Sequence, residues 1–92
     1  MATTQDTTIP QIQWLTCRIT KGMFSDELAV TYPAEGMYQK SVFVPASEVE
    51  GEPGSLGRVR VRVICRNGLV MAVLPSANQD FVTASQEDVS PQ

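Results

Sequence analysis

The 92-residue chain contains no histidine. Its absence removes the commonest general base and the commonest metal ligand, and with them every Ser-His and Cys-His nucleophile pair. Cysteine is nearly as scarce. Cys17 and Cys65 lie in apolar, strand-like stretches without C-x-x-C spacing, the setting of buried free thiols. A disulfide between them would require their strands to be neighbours. Arg18 and Arg66 adjoin the two thiols, but adjacent residues of a strand point to opposite faces, so neither guanidinium is placed to activate its neighbour. No apolar run of 18 residues occurs, and Met1 to Thr8 lacks the basic-then-apolar order of a leader peptide. The expectation is a reduced, cytoplasmic protein with no membrane segment.

The remaining chemistry is equally spare. The carboxylate pairs Asp26-Glu27 and Glu87-Asp88 read as solvated turns, not as acid/base or cation sites. Gly51-x-x-Gly54-x-x-Gly57-Arg58 lacks the Gly-Lys-Ser/Thr ending of a phosphate loop and runs into a strand, where such loops run into a helix. A non-enzymatic protein without metal or cofactor is expected. With 42% apolar and 18% charged residues the chain is globular, and its length suits one small core. A net charge of −3 argues against general binding to nucleic acid or anionic membrane but leaves room for a local basic patch.

What is present is concentrated between Ser47 and Leu74. Arg58, Arg60 and Arg62 alternate with Val59, Val61 and Val63, the period of two that sends arginines to one face of a strand and valines to the other. Asn67-Gly68 then supplies the two positive-φ positions of a type I′ turn. A two-residue loop there sets Arg66 opposite Leu69, Cys65 opposite Val70, Ile64 opposite Met71, Val63 opposite Ala72, Arg62 opposite Val73 and Val61 opposite Leu74. One face is wholly apolar and is core. The other carries Arg60, Arg62 and Arg66 around Ile64, Met71 and Val73.

Upstream, Glu48, Glu50 and Glu52 alternate as well. A symmetric fold about Pro53 to Gly57 would set Glu52 against Arg58, Glu50 against Arg60, Glu48 against Arg62 and Val49 against Val61, a charge ladder that selects register more than it stabilises. Alternatively, Ser47-x-x-Glu50 is a capping pattern, with a 3₁₀ turn over Glu48 to Glu52.

Along the rest of the chain, 1–8 reads as a tail and 9–89 as a single domain. Ile9 to Thr20 is a strand whose apolar parity changes between Trp14 and Leu15, as a bulge or a strand shared between two sheets would produce. Ser25 caps a turn and Phe24 plugs the core. Strands follow at Leu28–Tyr32, Ser41–Val44 and Phe81–Ala84, then a Ser-x-x-Asp turn at Ser85 to Val89 and a tail at 90–92. A weak echo aligns Leu28 to Val49 with Met71 to Val89, open to duplication or to two similar hairpins.

About six short strands cornered by Pro and Gly, with 3₁₀ turns and no long helix, describe an all-β chain forming a small SH3-like barrel. That outline carries no function by itself. An apolar patch rimmed by arginine has the composition of an interface. The expected role is therefore an interaction module that docks a protein partner, or its own copy, through Ile64, Met71, Val73, Arg60, Arg62 and Arg66. The alternative is a nucleic-acid binder using the stripe Arg58, Arg60, Arg62 and Arg66, with Trp14, Tyr32, Tyr38 and Phe43 as stacking platforms.

Overall fold

The structure, a computed structural model, describes residues 11–91. Its strands are β1 (Gln11–Lys21), β2 (Glu27–Tyr32), β3 (Lys40–Pro45), β4 (Val49–Glu50), β5 (Leu56–Arg66), β6 (Leu69–Val73), β7 (Phe81–Ala84) and β8 (Val89–Pro91). Three-residue 3₁₀ turns at Ala46–Glu48 and Gln86–Asp88 precede β4 and β8. All pairings are antiparallel, in the order β3-β2-β1-β5-β6-β7, with β4 on β5 and β8 on β1. The sheet curls into the expected small all-β barrel around Leu15, Cys17, Ile19, Val30, Val44, Val59, Val61, Val63, Val70 and Ala72, each 2% exposed or less.

The β5–β6 hairpin takes the register that its turn chemistry dictates. Asn67 and Gly68 have φ of 53° and 78°, and Arg66 pairs with Leu69 through to Arg62 with Val73. Val61, Val63, Val70 and Ala72 point inward, as expected.

Four expectations fail. β1 contains no bulge: it pairs with β5 without interruption from Gln11 to Arg18, while its other edge passes from β8 at Leu15 to β2 at Arg18. The parity change arises because Ile12 and Trp14 lie on the outer face and Leu15, Cys17 and Ile19 on the core face. Phe24 is 68% exposed and plugs nothing. Neither Ser85 nor Ser47 caps a 3₁₀ turn with its side chain; the turns are capped by Ser85 and Pro45 without a side-chain bond. Residues 90 and 91 are not tail but strand, with Ser90 opposite Trp14 and Pro91 opposite Gln13. The tail expected at 1–8 lies outside the described residues.

The echo corresponds to an approximate two-fold symmetry of the pairing pattern. Offsets of 44 for β1 onto β5 (Leu15 onto Val59), 42 for β2 onto β6 (Val30 onto Ala72) and 40 for β3 and β4 onto β7 and β8 (Val44 onto Ala84, Val49 onto Val89) carry each ladder onto another. Arg18 with Thr31 becomes Arg62 with Val73, Thr31 with Ser41 becomes Val73 with Phe81, and Val49 with Val59 becomes Val89 with Leu15. Leu15 and Val59 are each other's equivalents and are paired; the axis passes between them. On the far side of the barrel, where β3 and β7 share no ladder, the equivalents Lys40 and Asp80 close the seam as an ion pair at 3.5 Å. The sequence echo is one residue out in β6: it matches Leu28 to Met71, whereas the inward-facing equivalent of Leu28 is Val70.

Each half also exchanges its last strand. β4 closes onto the second half and β8 onto the first. The link from β4 to β5 is bound to β1, with Gly54 N–H donating to the Ile19 carbonyl (2.8 Å) and Ile19 N–H to that of Ser55 (2.9 Å). A methyl group at Gly57 would meet Ile19 Cδ1 and the Glu50 carbonyl oxygen.

Two outcomes follow from this geometry. Gly57→Ala should destabilise the fold by about 2 kcal/mol or more, because backbone is among the atoms that must move, whereas Gly54→Ala, at a φ of +91° in open space, should cost about 1 kcal/mol; urea midpoints measure both. Because Pro91 lies opposite Gln13, a permutant joining Gln92 to Met1 and opened between Pro53 and Gly54 should keep the native circular dichroism and a single cooperative transition.

Candidate functional site

The even-numbered residues of β5 all face outward, yet the four arginines do not share one environment. Arg58 donates from Nε (2.9 Å) and Nη2 (2.7 Å) to Glu50 Oε1, and Arg60 donates from Nη1 to Glu48 Oε2 at 3.2 Å. The glutamate ladder therefore exists, but shifted by two residues, with Val49 opposite Val59 and Glu50 opposite Arg58. The displacement arises because Leu56 and Gly57 pair with Arg18 and Cys17 of β1 and not with β4, so that seven residues, 51–57, separate the paired Glu50 and Arg58, two more than the symmetric fold about Pro53 to Gly57 supposes. Among the described residues Glu52 pairs with no arginine and Arg62 with no glutamate.

Trp14 lies beneath the first two guanidiniums. Its ring centroid is 4.7 Å from Arg58 Cζ and 5.2 Å from Arg60 Cζ, and although on the outer face it is only 8% exposed. Arg60 Nε is buried without a hydrogen-bond partner, a consequence of laying that side chain against an indole. The ion pairs are solvent-accessible and worth about 0.2–1 kcal/mol each; covering an indole removes far more apolar surface from water. Trp14, Arg58, Arg60, Glu48 and Glu50 thus form a small second core on the outer face.

Arg62 and Arg66 differ. Both are exposed, and neither has an ion-pair partner among the described residues. Ile64, Met71 and Val73 lie between them, each partly buried. The ladders extend this surface across four strands: Ile12, Arg62, Val73 and Phe81 form one row, Ile64, Met71 and Thr83 the next, Arg66 and Leu69 the third. Ile12 (45% exposed), Leu69 (55%) and Phe81 (53%) were absent from the sequence-derived site. Leu69 shares the parity of Met71 and was legible; Ile12 and Phe81 depended on which strands become neighbours. A cleft of about 290 Å³ borders this face, lined by Ile12, Arg60, Arg62, Val73, Pro75 and Glu48 among others.

The symmetry provides an internal comparison. The first-half equivalents of Ile64, Leu69, Met71, Val73 and Phe81 are Thr20, Glu27, Ala29, Thr31 and Ser41, while Ile12, itself in the first half, has the second-half Leu56 as its equivalent, and both are exposed and apolar. Thr31 and Ser41 share a hydroxyl hydrogen bond of 2.6 Å, and Arg18, the equivalent of Arg62, reaches Glu35 (3.6 Å) and the Ala34 carbonyl. Only Phe43, 47% exposed, against Thr83 reverses the trend. At equivalent backbone positions one half is mostly polar and the other mostly apolar.

The proposed stacking platforms separate. Tyr32 is buried; Ser85 N–H donates to its hydroxyl oxygen (3.0 Å), and the hydroxyl donates to Asp88 Oδ2 (2.6 Å). Tyr38 is 92% exposed on the β2–β3 loop. Cys17 and Cys65 are free thiols: although β1 and β5 are neighbours, Cys17 lies opposite Gly57, at the other end of β5 from Cys65.

Burial pushes the Cys17 thiol from 9.0 up to about 12. A thiol held neutral by the fold contributes stability that is complete below pH 9, where the unfolded thiol is also neutral, and that declines as pH rises toward 12. Tyr32 adds its own decline above its usual 10, since burial and then the Asp88 carboxylate accepting its proton hold its hydroxyl up. The urea midpoint should therefore fall between pH 8 and pH 11 by more in the wild type than in Cys17→Ala. A thiol reagent should label the partly exposed Cys65 in the folded protein and Cys17 only after unfolding.

No helix among the described residues is long and apolar enough to cross a membrane. No protein-family model, curated protein or solved structure matches this chain.

Proposed function

We propose that the protein is a non-enzymatic interaction module that docks a protein surface through the outer face of β5 and β6, with Ile64, Met71 and Val73 at the centre, Ile12, Leu69 and Phe81 around them, and Arg62 and Arg66 at the margin. The observation that carries this reading is the contrast between equivalent positions. The fold tolerates Thr20, Ala29, Thr31 and Ser41 at the places where the second half has Ile64, Met71, Val73 and Phe81, so folding does not demand an apolar set there. Contiguous exposed apolar surface without a folding role is characteristic of interaction sites. Arg60 belongs to the margin only through its stem, since its guanidinium is committed to Glu48 and Trp14.

Nucleic-acid binding through the stripe is the weaker reading. Arg58 and Arg60 are occupied within the molecule, which leaves Arg62 and Arg66 for phosphates. Two such contacts give a salt slope of only about −2, little on a chain of net charge −3.

A photo-crosslinking residue at position 71 should form a protein adduct in extract of the source cells at moderate salt, and the same residue at position 29 should not. Adducts of equal yield at both positions, or nucleic acid as the only adduct at 71, would remove the proposal.

A further inference from the structure

We infer that the partner presents an acidic rim around an apolar centre, and is neither a second copy of this chain nor a nucleic acid; this rests on the docking reading above and specifies its partner. Among the described residues the face carries Arg62 and Arg66 with no carboxylate among its apolar residues, and Lys40 stands over the ring of Phe81 at 5.8 Å from the centroid. Asp80, beside Phe81, is held by Ser76 Oγ (2.7 Å) and by Lys40, and Glu48, at the edge of the bordering cleft, is held by Arg60. Among the described residues the nearby acids are therefore occupied and the two arginines are not. Self-pairing of the face about a two-fold axis would bring arginines toward arginines, and like charges in a desolvated contact oppose association. Opposite charge on the partner gives each guanidinium a carboxylate with two oxygens to accept its fork.

The equivalent positions support the same conclusion. Arg18 has Glu35 supplied by its own half; Arg62, at the same place in the second half, has none among the described residues, so its carboxylate is left for the partner to supply. Arg62 and Arg66 stand about 13 Å apart on the strand, with Ile64 and Met71 between them. An amphipathic helix offers carboxylates two turns apart, about 11 Å, with leucines on the intervening turn.

The test uses the full chain and two labelled 18-residue peptides of identical leucine pattern, one flanked by glutamates and the other by lysines, with binding read by fluorescence anisotropy. The glutamate peptide should bind at least tenfold more tightly at low salt, the Arg62→Glu/Arg66→Glu variant should reverse the preference, and Arg18→Gln should leave it unchanged. If both peptides bind alike and Met71→Ser weakens both, the docking face stands and the acidic partner is overturned. If neither binds, the acidic partner is again overturned, and the docking reading falls with it if position 71 also gives no selective crosslink. Sedimentation showing self-association that Met71→Ser abolishes would assign the face to a second copy, and salt-sensitive binding of an oligothymidine lost in the Arg62→Glu/Arg66→Glu variant would assign it to nucleic acid; either overturns the inference.

Discussion

The antiparallel contact of β1 with β5 is the constraint from which the rest of the barrel follows. Each strand is 11 residues long, far longer than its hairpin partners require, because each serves three neighbours. One edge is given to the other long strand; the opposite edge is divided between a hairpin partner and the two- or three-residue strand that returns from a 3₁₀ turn. With Leu15 against Val59 at the centre, both fully buried, the inward parity of both long strands is set at one point. Gly57 is the concession to this arrangement, since the link between the halves passes over β1 where Ile19 leaves no room for a side chain.

What could be read in the sequence divides along contact range. The β5–β6 hairpin was legible to the residue because Asn67-Gly68 determines a two-residue loop locally and the valine alternation determines parity. The glutamate register was not, because it depends on where the link docks on Ile19, a contact between distant parts of the chain. The same holds for Trp14: its parity was correct, but its burial on an outer face depends on two arginines more than 40 residues away, and no local pattern announces that a guanidinium will serve as a lid. The short strands β4 and β8 are too brief to show any period; they are detectable only as the ends of a repeat.

The repeat also explains why the site was half visible. Ile64, Met71 and Val73 stand out on a hairpin whose faces were already assigned, whereas Ile12 and Phe81 join them only through ladders that cross from β1 to β7. Knowledge of the hairpin gives the centre of the face; knowledge of the topology gives its extent.

A repeated pairing pattern with two different surfaces separates two demands that are usually confounded. Positions that stay apolar in both halves, such as Val30 with Ala72 and Val44 with Ala84, answer to the core, since the barrel interior is common to both. Positions that differ answer to whatever each half meets outside. Arg58 shows how far this difference can run. Its equivalent is Trp14, and the two now lie against each other across the axis, so a position occupied by an aromatic ring in one half is occupied in the other by the cation that covers it. That pairing engages Arg58 and draws in Arg60 beside it, which is why, among the described residues, only the distal half of the basic stripe, Arg62 and Arg66, is left without an ion-pair partner. The exposed apolar residues Leu69 and Phe81 and the partly buried Ile64, Met71 and Val73 lie beside Arg62 and Arg66, so the surface neutralises its arginines at one end of β5 and gathers its outward apolar residues at the other.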